Sequence, residues 1–286
     1  MAVTTEVLRQ PDAPTPAPAR GAPRRRRRLN GRWVLPLWSW LVILWLFLPI
    51  FVMIVFGFNN TTGKFNIRWQ GFTLHWYTNA FGIPGLTTAL ENSLGIGAIA
   101  TVIATVLGTF LGMAMGKYRF RGSGSVTLLL FANIAAPEVV LGAALLSMFL
   151  TLGVPRGYWT IVIAHVMFSI AYVAVTVRAR MVGLDPSLEE ASRDLGAGPV
   201  VTFFKVTLPM IMPGVISGAL LAFALSIDDY IITSFNAGNT VTFPLYVFGA
   251  SRTGVPPQVN VIGTFIFIFG VLVAVYGFLS ARRRRV

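Results

Sequence analysis

Acidic side chains inside apolar stretches are the residues of this sequence that could recognise a solute. Glu138 lies within AAPEVVLG, and Asp228 and Asp229 lie within LSIDDYIITSF. A charge at the middle of a bilayer costs about 2.5–3.5 kcal/mol on insertion scales, so such residues usually face the interior of a helix bundle or a wet cavity. Acids along such a path would attract a cationic solute. The alternative is that each acid is structural and hydrogen-bonds a neighbouring helix.

Asp228 and Asp229 cannot both serve the same lumen if they lie on one helix. Consecutive residues on an α-helix are separated by about 100° around the axis. We therefore expect one carboxylate to face the pathway and the other to bond a neighbouring helix. The sequence leaves open which of the two faces the solute.

Catalytic and cofactor-binding patterns are missing from the sequence. It contains no G-x-x-x-x-G-K-[ST] phosphate-binding pattern, no nucleophile elbow and no zinc-protease motif. It has no cysteine and two histidines, too few for a site built from these ligands. We therefore predict that the chain is not an enzyme and holds no cofactor, so that any ATP hydrolysis that drives it takes place in a partner chain.

A polar stretch at 185–209, DPSLEEASRDLGAGPVVTFFKVTLP, interrupts the apolar sequence. Asp185 can cap a helix that has Pro186 at its first position, and Ser187 also fits a capping box with the glutamate three residues later. Gly196 can adopt the left-handed conformation that ends a helix. Pro199 can begin a second short helix, which we expect Pro209 to end. The pattern predicts a compact helix–turn–helix.

The composition indicates a membrane protein. Of the 286 residues, 55% are hydrophobic and 12% are charged, with a mean hydropathy of +0.71, whereas soluble domains carry about 25% charged residues. The net charge of +13 comes from short basic runs that flank apolar segments. That arrangement is typical of membrane topology and argues against a nucleic-acid partner.

About 20 apolar residues cross a bilayer as a helix, and the chain therefore divides as follows. Residues 1–32 form a disordered basic tail, 33–58 the first transmembrane helix, 59–88 an outer loop with an interfacial helix, and 89–280 a core of five further transmembrane helices. The predicted fold is all-α with six spans: Trp33–Phe58, Glu91–Gly116, Val126–Leu152, Thr160–Arg178, Ile211–Phe235 and Val259–Ser280.

The distribution of basic residues predicts the orientation in the membrane. With both termini in the cytosol, 19 of the 23 lysines and arginines fall on the cytosolic side. Cytosolic loops of membrane proteins carry such an excess. The same orientation places the stretch 185–209 in the cytosol.

The stretch 185–209 resembles the EAA loop of ABC-importer permeases of type I. In that family the motif is Glu-Ala-Ala, three residues, Gly, nine residues, an aliphatic residue, one residue and Leu-Pro. The resemblance implies that this loop docks on a separate ATPase subunit and couples it to the membrane helices. The matching positions are Glu190, Ala191, Gly196, Val206, Leu208 and Pro209, with Ser192 where the second Ala usually stands.

The stretches LSIDDYIITSF, FPLYVF and TLPMIMPGVISG resemble the spermidine/putrescine permease branch of this family. The resemblance implies a multi-pass subunit of the bacterial cytoplasmic (inner) membrane that imports polyamines. Its implied partners are a second homologous permease, two ATP-binding subunits, an extracytoplasmic substrate-binding protein and the lipid bilayer. Two alternatives stay open, namely import of another small solute (an amino acid, an iron chelate or an organic cation) and a channel or scaffold without an ATPase.

Overall fold

The computed structural model describes residues 33–63, 65–118 and 120–283. The predicted tail at 1–32, with its five-arginine run, lies outside the described residues. The chain divides at residue 50 into two compact units, 1–50 and 51–286, and the second holds the packed core.

The described chain is mostly helical, and it contains one antiparallel bridge, between Asn59 and Phe72. Its α-helices are α1 Val34–Phe56, α2 His75–Thr78, α3 Pro84–Lys117, α4 Ser123–Ala135, α5 Glu138–Thr151, α6 Tyr158–Val182, α7 Ser187–Asp194, α8 Pro199–Thr202, α9 Leu208–Asp228, α10 Ile231–Asn236, α11 Phe243–Thr253 and α12 Pro257–Arg283. A π-helical turn at Phe203–Thr207 joins α8 to α9, so that 199–228 is one continuous helix.

Five of the described helices are long and apolar enough to cross a membrane. They are α1, α3, α6, the continuous helix at 199–228 and α12, and α4 with α5 make a sixth if that pair counts as one span. The prediction of an all-α membrane fold is confirmed, with five to six apolar helices.

The predicted span Val126–Leu152 is not one continuous helix. The structure has two helices there, α4 and α5, which meet at an angle of 106°. The break falls at Ala136 and Pro137, and Ala136 adopts an extended conformation with ψ 135°. Proline lacks an N–H and disfavours a helical conformation in the residue before it, which accounts for the bend.

The predicted continuous span Ile211–Phe235 is also interrupted. The helix α9 ends at Asp228, Asp229 is extended with ψ 117°, and the chain becomes helical again at Ile231. The carboxylate of Asp229 accepts hydrogen bonds from backbone N–H groups of α10, which competes with the regular helical pattern.

The core lies where α3, α6 and α9 pack together, with α6 the most buried of the three. Small residues permit the close approach of α3 to α6, since a Cβ added to Gly108 would lie 2.7 Å from the Cβ of Val173. The α9 backbone also lies against Val173, whose Cα would be 3.3 Å from a Cβ added to Gly218. The three-helix core thereby packs closely against the middle of α9.

Candidate functional site

An acidic cavity of about 430 Å³ lies between the α4–α5 bend, α6 and the break between α9 and α10. The described residues that line it include three carboxylates and no lysine or arginine. The cavity therefore suits a cationic guest rather than an anionic one. The polar and acidic lining residues are Asn133, Glu138, Tyr172, Asp228, Asp229 and Tyr230.

Glu138 and Asp228 reach the cavity because two helices end there. Glu138 is the first residue of α5, directly after the Pro137 break, and Asp228 is the last residue of α9. Both residues are exposed in this chain. The two helix breaks thus bring together acids that are 90 positions apart in the sequence.

Asp229 lines the cavity but is largely buried, and it is held by hydrogen bonds. Its residue is 9% exposed, and its Oδ2 accepts from the N–H of Thr233 at 2.7 Å and from the hydroxyl of Thr233 at 2.6 Å. Its Oδ1 accepts from the N–H of Ile232 at 3.3 Å. Asp228 and Asp229 have different surroundings because the helix breaks between them. The 100° step between consecutive residues of one helix is not the cause.

His165 of α6 completes this buried network and was missed by the sequence analysis. Its Nε2 lies 3.3 Å from Asp229 Oδ2 and 2.9 Å from Thr233 Oγ1. Its Nδ1 lies 2.6 Å from Ser226 Oγ, so the imidazole bridges the two sides of the break. The only signal in the sequence was a lone histidine in an apolar helix, and its partners are 61 to 68 positions away.

Asn133 adds an oxygen acceptor to the same cavity. Its Nδ2 donates to the carbonyl of Met167 at 3.2 Å, which fixes the amide. Its Oδ1 is buried and has no hydrogen-bond partner among the described residues. A donor such as an ammonium group would satisfy it. Among the described residues, no group of three or more His, Asp or Glu side chains is arranged to hold a metal ion.

The stretch 185–209 forms a helical hairpin, made of α7, a turn at Gly196 and α8. The N–H of Ser187 donates to Asp185 Oδ1 at 3.0 Å, and this bond lowers the pKa of the Asp185 carboxyl. Gly196 has φ +84°, the left-handed conformation predicted for it. The alternative capping box from Ser187 is not formed, because the helix begins at Ser187 itself.

The hairpin continues directly into α9, and the expectation that Pro209 ends it is wrong. Leu208 donates its N–H to the carbonyl of Phe203, five residues earlier, in the wide π-helical turn. Pro209 is the second residue of α9, directly after this turn, and the helix continues through it. Continuous helical backbone therefore joins the hairpin to a long apolar helix.

The hairpin exposes an apolar surface. Leu195 is 90% exposed, Leu188 48% and Phe204 60%. A groove on the same side is lined by Ala191, Ser192 and Pro209 among others. Glu190 is exposed, whereas Ser192 bonds Thr202 of α8 through their hydroxyls at 3.1 Å. The structure thus brings the motif residues from Glu190 to Pro209 into one hairpin and its junction with α9.

Glu189, which the sequence analysis did not single out, ties the hairpin to the bundle. Its Oε2 accepts from the Nζ of Lys117 at the end of α3, and its Oε1 accepts from the hydroxyl of Thr207 at 2.8 Å. Burial acts to raise the pKa of Glu189, but the hydrogen bonds from Lys117 and Thr207 outweigh it and hold the pKa below the usual value.

Comparison with protein families matches residues 108–285 to the binding-protein-dependent transport system inner membrane component. The chain belongs to this family. It is a multi-pass protein of the bacterial inner membrane, as the sequence predicted. The resemblance to importer permeases, drawn from the motif at 185–209, is confirmed by this match.

Two curated members of the family cover most of the chain. The chain is 34% identical to the spermidine/putrescine transport system permease protein PotC of Haemophilus influenzae, over 85% of the chain and 94% of the relative. It is 38% identical to the putrescine transport system permease protein PotI of Escherichia coli, over 84% of the chain and 88% of the relative.

Solved structures share the fold at low sequence identity. A bacterial ABC transporter involved in the import of the acidic polysaccharide alginate superposes with a TM-score of 0.63 at 17% identity, over 94% of this chain and 99% of that chain. A subunit of the MetNI methionine ABC transporter superposes with a TM-score of 0.57 at 16% identity, over 69% of this chain and 95% of that chain. These similarities concern the fold alone.

Proposed function

We propose that the chain is a membrane-spanning subunit of an ATP-driven importer of polyamines, with putrescine and spermidine as its solutes. The observation that carries the proposal is the identity of 34–38% with permeases named for these solutes, over 84–85% of the chain. The acidic cavity supports it independently, because polyamines carry protonated amines at neutral pH and the described lining offers carboxylates without a competing cation.

In this proposal the acids of the cavity line the solute pathway. Glu138 and Asp228 are exposed and accept hydrogen bonds from the ammonium groups, and Asn133 supplies a neutral oxygen beside them. Asp229 also lines the pathway, and its bond to His165 holds the chain at the helix break next to Asp228. Solute binding at this cavity is transient, since a pathway site must also release its guest.

The hairpin is proposed to couple this pathway to a motor in another chain. Its exposed apolar surface docks on an ATP-binding subunit, and closure of two such subunits displaces the hairpin and with it α9. The residues proposed for coupling are Glu190, Ala191, Ser192, Gly196, Leu208 and Pro209. The full complex then holds a second homologous permease, two ATP-binding subunits and an extracytoplasmic substrate-binding protein.

The proposed topology has six spans and both termini in the cytosol. The bent pair α4 and α5 counts as one span, and residues 89–280 form the transport core that follows the first helix at 33–58 and the outer loop at 59–88. The excess of basic residues near the hairpin supports this orientation. Cysteines introduced at Ala197 and at Asn239 would test it, since the proposal expects labelling of the first only from the cytosolic side and of the second only from outside.

The experiment that tests the function measures uptake of labelled putrescine. The chain is expressed with its partner permease, ATP-binding subunit and binding protein in cells that lack polyamine uptake. Energy-dependent accumulation, reduced by excess unlabelled spermidine and unchanged by excess methionine, is the expected result. Absence of accumulation, or equal competition by methionine, would contradict the proposal.

A further inference from the structure

The first turn of α7 contains two adjacent glutamates with different surroundings. Glu190, which matches the family motif, is exposed. Glu189 is turned toward the bundle, and the exposed fraction of its side chain is 17%. Its two carboxylate oxygens contact two different elements, Lys117 of α3 and Thr207 at the start of α9.

Apolar packing does not fix the position of α7. None of the residues of α7 is buried, and Leu188 in α7 and Leu195 directly after it are exposed on the hairpin surface. A cavity of about 830 Å³ lies on its other side, lined by Lys117, Arg178, Met181 and Glu189 among others. Since this cavity lies behind α7, polar bonds position the helix. They are the bonds of Glu189 to Lys117 and Thr207 and the contact between Ser192 and Thr202.

The two partners of Glu189 lie at the ends of helices that pack against each other. Lys117 is the last residue of α3, and Thr207 is buried at the end of the π-helical turn that leads into α9. Farther along, α3 and α9 are closely packed, with a Cβ added to Gly97 only 3.2 Å from Ile227 Cδ1. A carboxylate shared between the two helix ends would hold the end of α3 and the start of α9 at a fixed distance from each other beside α7.

We infer that Glu189 is a positioning residue that transmits displacement of the hairpin to α3 and α9 together. The inference rests on the proposed coupling function of the hairpin. Without the carboxylate, α7 can shift into the cavity behind it while α3 stays in place. An ATP-binding subunit would then still dock on the exposed surface and hydrolyse ATP, but less of its movement would reach the bundle.

The test uses the complete complex in proteoliposomes and measures putrescine uptake and phosphate release in the same sample. Glu189→Ala and Lys117→Ala are each expected to lower uptake about fivefold or more while phosphate release stays within about twofold. The exchanged pair Glu189→Lys with Lys117→Glu restores the opposite charges, and we expect it to recover at least half of the uptake lost by Glu189→Ala. Thr207→Val removes the second bond, and Thr207→Ser keeps it.

Asp194→Asn is the matched control, an exposed acid at the other end of the same helix, and it is expected to behave as wild type. Unchanged uptake in both alanine variants would overturn the inference, as would an exchanged pair no better than Glu189→Ala. A parallel fall of uptake and phosphate release would also overturn it, because that result means lost docking. Failure of the proposed function is distinguishable, since wild-type complex would then accumulate no putrescine.

Discussion

The hairpin at 185–209 and the acidic cavity lie at opposite ends of α9 and are built in different ways. The hairpin is made by residues adjacent in sequence, and its turn depends on one backbone conformation at Gly196. The cavity is assembled from the α4–α5 bend, α6 and the α9–α10 break, and depends on hydrogen bonds across 61 to 68 positions. Since α9 has 21 residues, about 30 Å separates the two regions.

This contrast suggests that the regions at the two ends of α9 have different functions. The hairpin presents an exposed apolar surface with few contacts to its own chain, as expected of a part that receives force from another subunit. The cavity presents exposed acids on a buried, fully bonded support. Variants at the two ends should therefore fail in different ways, and four predictions follow from that difference.

The largest effect is expected at the turn of the hairpin. Gly196→Val should abolish coupled uptake, with at least a tenfold loss, because a β-branched residue disfavours φ +84° and the turn must open. Glu190→Lys should act in the same direction by reversing a charge on the proposed docking surface. Uptake and membrane abundance are measured together. Gly198→Ala is the matched control, because Gly198 has an ordinary φ of −69° and open space at its Cβ position.

A smaller effect, about tenfold on uptake, is expected at the cavity. Asp228→Asn removes an exposed charge from the proposed pathway, while its neighbours keep their bonds, so the protein should unfold at the wild-type temperature. Glu138→Gln should act alike. If either variant transported putrescine as well as wild type, the carboxylates would have no part in the pathway.

At the support behind the cavity, the prediction concerns stability. Asp229→Ala and His165→Ala each leave buried hydrogen-bonding groups without partners, which costs about 1–3 kcal/mol, and the melting temperature should fall by several degrees. Thermal unfolding of the purified complex in detergent gives the measurement. Ser234→Ala, at an exposed position in α10, is the control. An Asp229→Ala variant as stable as wild type would assign Asp229 to the pathway alone.

The smallest effect is a pH dependence at the hairpin. The pKa of Glu189 lies below 4.5, its usual value, so the bond to Lys117 contributes stability that is present above that pH and lost as the pH falls through the lower, folded-state pKa. The difference in melting temperature between wild type and Glu189→Ala should be a degree or two, since partly exposed ion pairs contribute about 0–1 kcal/mol. It should stay constant from pH 8 to pH 5. A difference that vanished between pH 7 and pH 6 would implicate another titrating group.

The hairpin was largely predictable from sequence because its determinants are local. The left-handed Gly196 and the helix start at Pro199 were predicted and are present. Asp185 accepts a hydrogen bond at the start of α7 as expected, but α7 begins at Ser187, one residue later than predicted. The error at Pro209 arose because a proline usually marks a helix boundary, whereas here the π-helical turn before it lets the helix continue.

The cavity was only partly predictable, because its determinants are distant in sequence. The acids could be selected by their apolar surroundings. Which of Asp228 and Asp229 is exposed, however, depends on a helix break that hydrophobic periodicity does not reveal. The bond between Glu189 and Lys117 spans 72 positions, and no local pattern distinguishes Glu189 from Glu190. Contacts of this kind become visible only when the fold places the helix ends side by side.

The most direct test of these different functions of the hairpin and the cavity measures putrescine transported per ATP hydrolysed. It uses proteoliposomes that hold the complete complex. For Asp228→Asn the account predicts that uptake falls while ATP hydrolysis continues, so that the ratio drops. For Gly196→Val it predicts that both fall together, because the motor no longer engages. Wild-type ratios and uptake in Asp228→Asn, or an identical pattern in the two variants, would contradict it.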